Sequence, residues 1–252
     1  MKQTYEDRQR RRREQAHFTA VAAARGEVYW ADRRPAASRR QEIRAGLLLA
    51  AAQLADAEGR LVLDVGCGTG AYTRPFARCT KAQVVGADVT PALLARARAQ
   101  APPNTCFSAA DVATLPFRTE AFDAVVGNAV LHHLPLERAV PELLRVLKPG
   151  GRFCFAEPNL LNPQVFIERT VPWIGRWLEN SPDEIAFTRW SLKRLLERLG
   201  VAGVAIRPFD FLYPLTPRPF VPLVEAVGRT LEAMPVVREI AGSLLISGRK
   251  PS

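Results

Sequence analysis

A chain of 252 residues with 48% hydrophobic content is long enough for one large α/β domain and short for two, so one domain with embellishments is expected. The apolar stretch Ala45 to Ala55 is well below the ~20 residues of a spanning helix, and the charged N-terminus lacks an apolar signal core, so a soluble, cytoplasmic protein is expected. Cys67, Cys79, Cys106 and Cys154 form no C-x-x-C pair, which argues against zinc and redox sites, and no metal is expected.

The formal charge of +10 is unevenly spread, with twelve Lys and Arg against six Asp and Glu in residues 1–44, around Arg10-Arg11-Arg12-Arg13. That segment reads as a basic, partly helical arm or cap, and 45–252 as the main domain. No aromatic residues interleave with the arginine run, as a nucleic-acid stacking platform requires, so no nucleic-acid partner is expected. The arm's later part runs from His17-Phe18 through Tyr29-Trp30.

In chain order, β-rich runs lie at Leu61–Asp64, Gln83–Asp88, Thr105–Ala109, Ala124–Asn128 and Arg152–Glu157. They alternate with helical patterns at Pro91–Gln100 and Leu136–Leu147, which predicts a doubly wound, mainly parallel sheet. Pro141 falls inside the second pattern, where it either kinks the helix or marks its start. Trp190–Leu199 reads as a helix stopped by Gly200. Strands around Val204–Phe209 and Ser243–Ser247 follow, giving seven.

The first strand ends in Asp64 and runs into Gly66-Cys67-Gly68-Thr69-Gly70, a turn that lets backbone approach a ligand. By spacing alone Gly66, Gly68 and Ala71 also satisfy the dinucleotide pattern G-x-G-x-x-G/A, with Asp88 about twenty residues on as a ribose acceptor. This motif cannot separate the two cofactors.

Gly86-Ala87-Asp88-Val89 fits both, and the segments that separate them are Ala110-Asp111-Val112 with Leu115-Pro116-Phe117, and Phe122-Asp123-Ala124-Val125 through Leu131-His132-His133-Leu134 to Leu147-Lys148-Pro149-Gly150-Gly151. In this order they resemble the class I S-adenosylmethionine-dependent methyltransferases, of the small-molecule, type 11-like kind, over roughly residues 60 to 157. The resemblance implies a seven-stranded Rossmann-like sheet and S-adenosyl-L-methionine as cofactor. It assigns Asp64 to the methionine ammonium, directly or through water, and Gly66, Cys67, Gly68 and Gly70 to the loop beside the methionyl and ribose parts. Asp88 accepts from the ribose hydroxyls and Val89 packs on adenine. Asp111 and the Val112 N–H meet the adenine edge, and Asn128 offers a backbone carbonyl near the amino acid moiety. Asp64 and Asp111 have the alternative of capping helices or turns.

S-adenosylmethionine carries an activated methyl, so the chain has mainly to align an acceptor and exclude water. His132 and His133 follow the fourth strand, where open parallel sheets bind ligands; either is a candidate base or acceptor contact, or a structural histidine. Glu157 is a further candidate, with capping of the Glu157-Pro158-Asn159 turn as its alternative. Asn128-Ala129-Val130-Leu131 stands where methyltransferases of exocyclic base amines carry [DN]-P-P-[YF], which favours a small-molecule acceptor.

Two insertions supply candidate lids, at about 158–190, with Phe166, Trp173, Trp177, Phe187 and Trp190, and at 213–240, with Phe220, Leu223, Val224, Val227 and Leu231 at helical spacing. They either wall an apolar acceptor pocket or simply cover the sheet edge. A third reading is a surface helix touching a membrane, fitting a quinone or lipid acceptor. The expected function is O- or C-methylation of a small, cyclic or lipophilic metabolite. The alternatives are a quinone or lipid methyltransferase at a membrane surface, a non-catalytic cofactor-binding partner, and, least favoured, a NAD-dependent oxidoreductase.

Overall fold

The order of the strands in space follows from which of them are apolar on both faces. Val62, Leu63, Val65, Ala124, Val125, Val126, Phe153, Cys154 and Phe155 are all buried, so β1 (Leu61–Val65), β4 (Phe122–Asn128) and β5 (Leu147–Pro158) take the centre. β2 (Gln83–Asp88) and β3 (Thr105–Ala109) extend one edge, and β6 (Ala202–Phe209) and β7 (Ser243–Arg249) the other. The order is β3-β2-β1-β4-β5-β7-β6, parallel where β1 to β5 pair and antiparallel at both pairings of β7. This computed structural model describes residues 2–25, 34–54, 57–171, 173 and 184–252. The seven expected strands are all present.

Each sheet face has its own apolar layer. On one, α5 (Leu136–Val146) and α7 (Arg189–Arg198) bury Leu143, Val146, Leu192 and Leu196 against Leu63, Val125 and Phe153. On the other, α2 (Pro35–Ala52) and α3 (Thr73–Arg78) bury Leu48, Ala52 and Phe76 against Val62, Val84 and Cys154. Helix α2 runs across the boundary expected between residues 44 and 45. Helix α4 (Pro91–Ala99) opens on Pro91, while α5 starts at Leu136 and carries Pro141 inside it. Pro141 is therefore an interior residue, leaving the Glu137 carbonyl without its helical donor. Helix α7 begins at a capping box between Thr188 and Ser191. It ends at Gly200, φ +95°, where Gly200 N–H donates to Glu197 O and Val201 N–H to Leu196 O.

Among its described residues the N-terminal arm holds helix α1 (Lys2–Arg25) and the first turns of α2; Tyr29 and Trp30 lie outside the described residues. In the first insertion α6 (Pro163–Thr170) is capped by the Asn162 side chain, and Asn159 bridges to Phe187; Trp177 lies outside the described residues. The second carries α8 (Val221–Ala233) between two 3-10 turns, Arg218–Phe220 and Val237–Ile240.

Candidate cofactor and acceptor site

The loop after β1 is shaped by its own backbone. Gly66, Gly68 and Gly70 have φ of +65°, +54° and +75°, a region closed to most side chains. The Gly66 and Cys67 N–H groups both donate to Ala87 O of β2, at 2.8 and 3.2 Å. A Cβ on Gly66 would stand 2.4 Å from Val130 Cγ2, whereas one on Gly68 would meet nothing within 4 Å. Gly66 is thus small for packing, and Gly68 for what lies in front of it.

Asp88 ends β2 and is fixed by two backbone donors, Gly68 N–H to Oδ2 at 2.9 Å and Thr90 N–H to Oδ1 at 2.8 Å. Burial raises its pKa, and these hydrogen bonds pull it back. Asp64 sits behind the loop, where Thr73 Oγ1 donates to it at 2.6 Å. Burial pushes its carboxyl up to about 7, against the Thr73 hydrogen bond and with help from the Asp88 charge.

In front of the loop lies a cavity of about 790 Å³. Gly66, Cys67, Gly68, Asp88, Val89, Asp111, Val112, Asn128, His132 and His133 all reach its wall, whereas Asp64 and Gly70 stand off it. Asp111 Oδ1 accepts from Ala113 N–H at 3.0 Å, so it holds its turn while facing the cavity. The Asn128 side chain accepts from Arg44 Nη1 at 3.0 Å. Arg44 also donates to Asp210 at 2.8 Å and to Ser243 at 2.5 Å, and Arg40 joins it on Asp210 at 2.6 Å. Sequence reasoning passed over Arg44. Its signal was a pair of arginines one turn apart on a helix whose next turn is apolar.

The other end of the cavity is built on Glu157. This fully buried carboxylate accepts from Val130 N–H and Leu131 N–H on Oε1, at 2.9 and 2.8 Å, and lies 2.7 Å from His132 Nδ1 on Oε2. Burial pushes Glu157 up, but these three donors and the His132 charge hold it below the usual carboxylate range. It caps the turn after β4; the Pro158-Asn159 turn uses Asn159 Oδ1, which accepts from Leu161 N–H at 3.2 Å. With Nδ1 turned to Glu157, Nε2 is the His132 ring nitrogen left for another partner.

His133 sits beside it, ring centroids 4.1 Å apart. Its Nδ1 is 3.1 Å from Glu14 of α1, its Nε2 3.9 Å from Glu184, and Phe18 meets its ring edge-on at 5.2 Å. Burial and then the His132 charge lower its pKa, with Glu14 pulling it back up. His132, His133 and Glu184 bring ligand-capable atoms within 4.8 Å of one another, but Arg169 of α6 pairs with Glu184. Glu14, Arg169 and Glu184 carried no motif and were not foreseen.

The residues fit S-adenosylmethionine. The open side of Gly68 leaves room that a Cβ would fill, and the Thr69 hydroxyl on the cavity wall is buried without a hydrogen-bond partner among the described residues. A carboxylate pre-set by two backbone donors suits vicinal hydroxyls.

Residues 63–155 match the model of the family described as "Methyltransferase domain". A trans-aconitate 2-methyltransferase of Methylobacterium radiotolerans is 39% identical over 55% of this chain and 53% of its own. A demethylmenaquinone methyltransferase of Streptomyces avermitilis is 31% identical over 56% of this chain and 67% of its own. The chain belongs to the class I S-adenosylmethionine-dependent methyltransferases. It spans between half and two thirds of these relatives' lengths. A SAM-dependent methyltransferase of Thermotoga maritima shares the fold at a TM-score of 0.68 and 17% identity, covering 94% of this chain and 99% of that one. A Haloferax volcanii methyltransferase solved with its Trm112 activator gives 0.63 at 21% identity, over 93% and 98%. As a methyltransferase of this family the chain takes S-adenosylmethionine as cofactor, which sets the dinucleotide reading of the glycine loop aside.

Proposed function

We propose that this methyltransferase methylates a small, cyclic or lipophilic acceptor at oxygen, or at a carbon made acidic by a neighbouring carbonyl, with His132 as general base. The observation that carries this reading is the His132–Glu157 pair: one histidine nitrogen on a buried carboxylate at 2.7 Å, and the ring on the cavity wall. S-adenosylmethionine, when bound, supplies a sulfonium-activated methyl that leaves with neutral thioether formation. Asp88, Val89, Asp111 and Val112 would hold its adenosine part, and Asp64, the glycine loop and Asn128 its methionyl part. His132 Nε2 takes the acceptor proton, and Glu157 stabilises the imidazolium. The relatives' names span a tricarboxylic acid, a quinone and, for shorter matches, tRNA. The absent amine-positioning tetrad favours the small molecules.

The test is an acceptor screen over phenols, carboxylic acids and quinols read by S-adenosylhomocysteine release, repeated with His132→Ala and His132→Gln. Turnover should fall by roughly 10² to 10³, with S-adenosylhomocysteine affinity kept within about twofold. Unchanged turnover in both variants would remove His132 from the chemistry. Cofactor binding with no acceptor turned over would favour a non-catalytic partner protein.

A further inference from the structure

Exposed apolar side chains gather on the last insertion. Leu223 and Val227 lie one turn apart on α8 and share a face, with Leu223 61% exposed, and exposed Phe220 and Met234 flank the helix at its two ends. Past the helix, Pro235 leads into Val236, 84% exposed, and on to Ile240. The surface continues beyond this segment. Asn162 Nδ2 donates to Ile240 O at 2.9 Å, which sets α6, with exposed Phe166 and Ile167, alongside. Arg189 pairs with Glu239 at 2.8 Å and brings exposed Trp190 to the same edge. The core duty of α8 falls to its opposite side, where Val221 packs with Ala36 and Leu212.

The charges on this segment are sorted. Each acidic group between residues 210 and 240 is engaged inward: Asp210 by Arg40 and Arg44, Glu225 by Arg39, Glu232 by the Asp210 N–H at 2.9 Å, and Glu239 by Arg189. Arg218 is exposed, and Arg229, with 72% of its side chain exposed, lies 3.9 Å from Glu225 one turn back.

We propose that this face docks on an anionic phospholipid bilayer. Leu223, Met234 and Val236 enter the headgroup boundary, and Arg218 and Arg229 meet lipid phosphates. Apolar residues on one helix face with cations beside them are the chemistry of an interfacial segment, and contiguous exposed apolar surface on this scale marks a contact site. A second copy fits less well, because a two-fold contact would set the same arginines against each other. No helix among the described residues is long and apolar enough to cross a membrane, so the contact is peripheral. Arg169 of α6 lines the cavity, so docking places the bilayer beside the helix that bounds the acceptor end.

The test is co-sedimentation of the full chain with vesicles of phosphatidylcholine alone or mixed about 2:1 with phosphatidylglycerol. Pelleting on the mixed vesicles should exceed that on neutral ones about tenfold and weaken with added salt. The double variant Leu223→Glu/Val236→Glu should fall to background with its far-UV spectrum and melting temperature kept, and Arg218→Glu/Arg229→Glu should lose at least about tenfold. Absence of wild-type binding, or equal binding by the apolar double variant, overturns the proposal. So does a wild type that self-associates in sedimentation velocity while Val236→Glu is monomeric. Vesicle binding is read without cofactor, so it stands or falls separately from methyl transfer.

Discussion

At the cofactor end of the cavity the polar groups are held by backbone: Gly68 and Thr90 N–H fix Asp88, and Ala87 O fixes the glycine loop. At the acceptor end the outer wall is held by side chains from distant parts of the chain, with Glu14 of α1 on His133 and Arg169 of α6 on Glu184. Backbone-set donors have little freedom to lose and suit one fixed ligand. Ion pairs between separate helices can be re-formed with other residues at little cost to the sheet. His132 belongs to the first kind although it lines the same end of the cavity as His133, because Glu157 ties it to backbone N–H groups of its own turn.

The largest effect expected of this difference is the pH response of the cradle. Asp64 has a folded pKa of about 7 against 3.8 ordinarily. An acid whose folded pKa is raised contributes stability that is complete below 3.8 and is lost as pH rises toward 7. The gap of roughly three units is worth about 4 kcal/mol. Urea unfolding of the cofactor-free protein from pH 5 to 8 should therefore show stability falling in the wild type and a flatter profile in Asp64→Asn. Asp88, raised in the same direction, leaves the variant a residual slope. Parallel profiles would show that Asp64 ionises freely in the folded protein. If the methionine ammonium acts on Asp64 through water, as the family resemblance implies, cofactor binding should release protons near pH 6 by drawing Asp64 into its charged form. Calorimetry in buffers of different ionisation enthalpy reads that release.

Next in size is Glu157. Its removal in Glu157→Ala leaves two buried backbone N–H groups and a histidine N–H unpaired, at about 3 kcal/mol in all. Glu157→Gln keeps an acceptor for the backbone groups, so it should recover most of the melting temperature. It offers an amide in place of the carboxylate at His132, so turnover should stay low with cofactor affinity intact. If Gln restores turnover along with stability, Glu157 acts only as a cap.

The same contrast explains what the sequence made legible. The cradle lies within contiguous motifs whose geometry is local, so Asp88, Asp111 and the glycines were named before the fold was known. The strands were legible because buried parallel strands are short apolar runs; β5 begins at Leu147 rather than Arg152 because Leu147 pairs with Phe122. His132 and Glu157 were each named as candidates, but their pairing joins residues 25 apart, which no local pattern encodes. Arg44 meets Asp210 across 166 residues, and only the topology that sets α2 against β6 and β7 brings them together.

Removing α1 tests the acceptor end as a whole. Deletion of residues 1–25 takes away Glu14 and Phe18 and opens one side of the cavity. Acceptor KM should rise about tenfold, near 1.4 kcal/mol, with the core still cooperatively folded. Unchanged KM and cofactor affinity would make the arm a passive cover.

The smallest effect expected is that of Glu14→Gln, which keeps the helix and its packing and removes one charge. Burial and His132 lower the pKa of His133, and Glu14 is the foremost group opposing them. The substitution should move the His133 titration further down, as read by histidine ring NMR, and leave the melting temperature nearly unchanged. Turnover should stay within about threefold, since the proposed mechanism gives the proton to His132 and leaves His133 beside it. A large loss of turnover with the titration of His133 unmoved would mean that Glu14 itself touches the acceptor. The outer wall would then take part in recognition directly rather than only enclosing it.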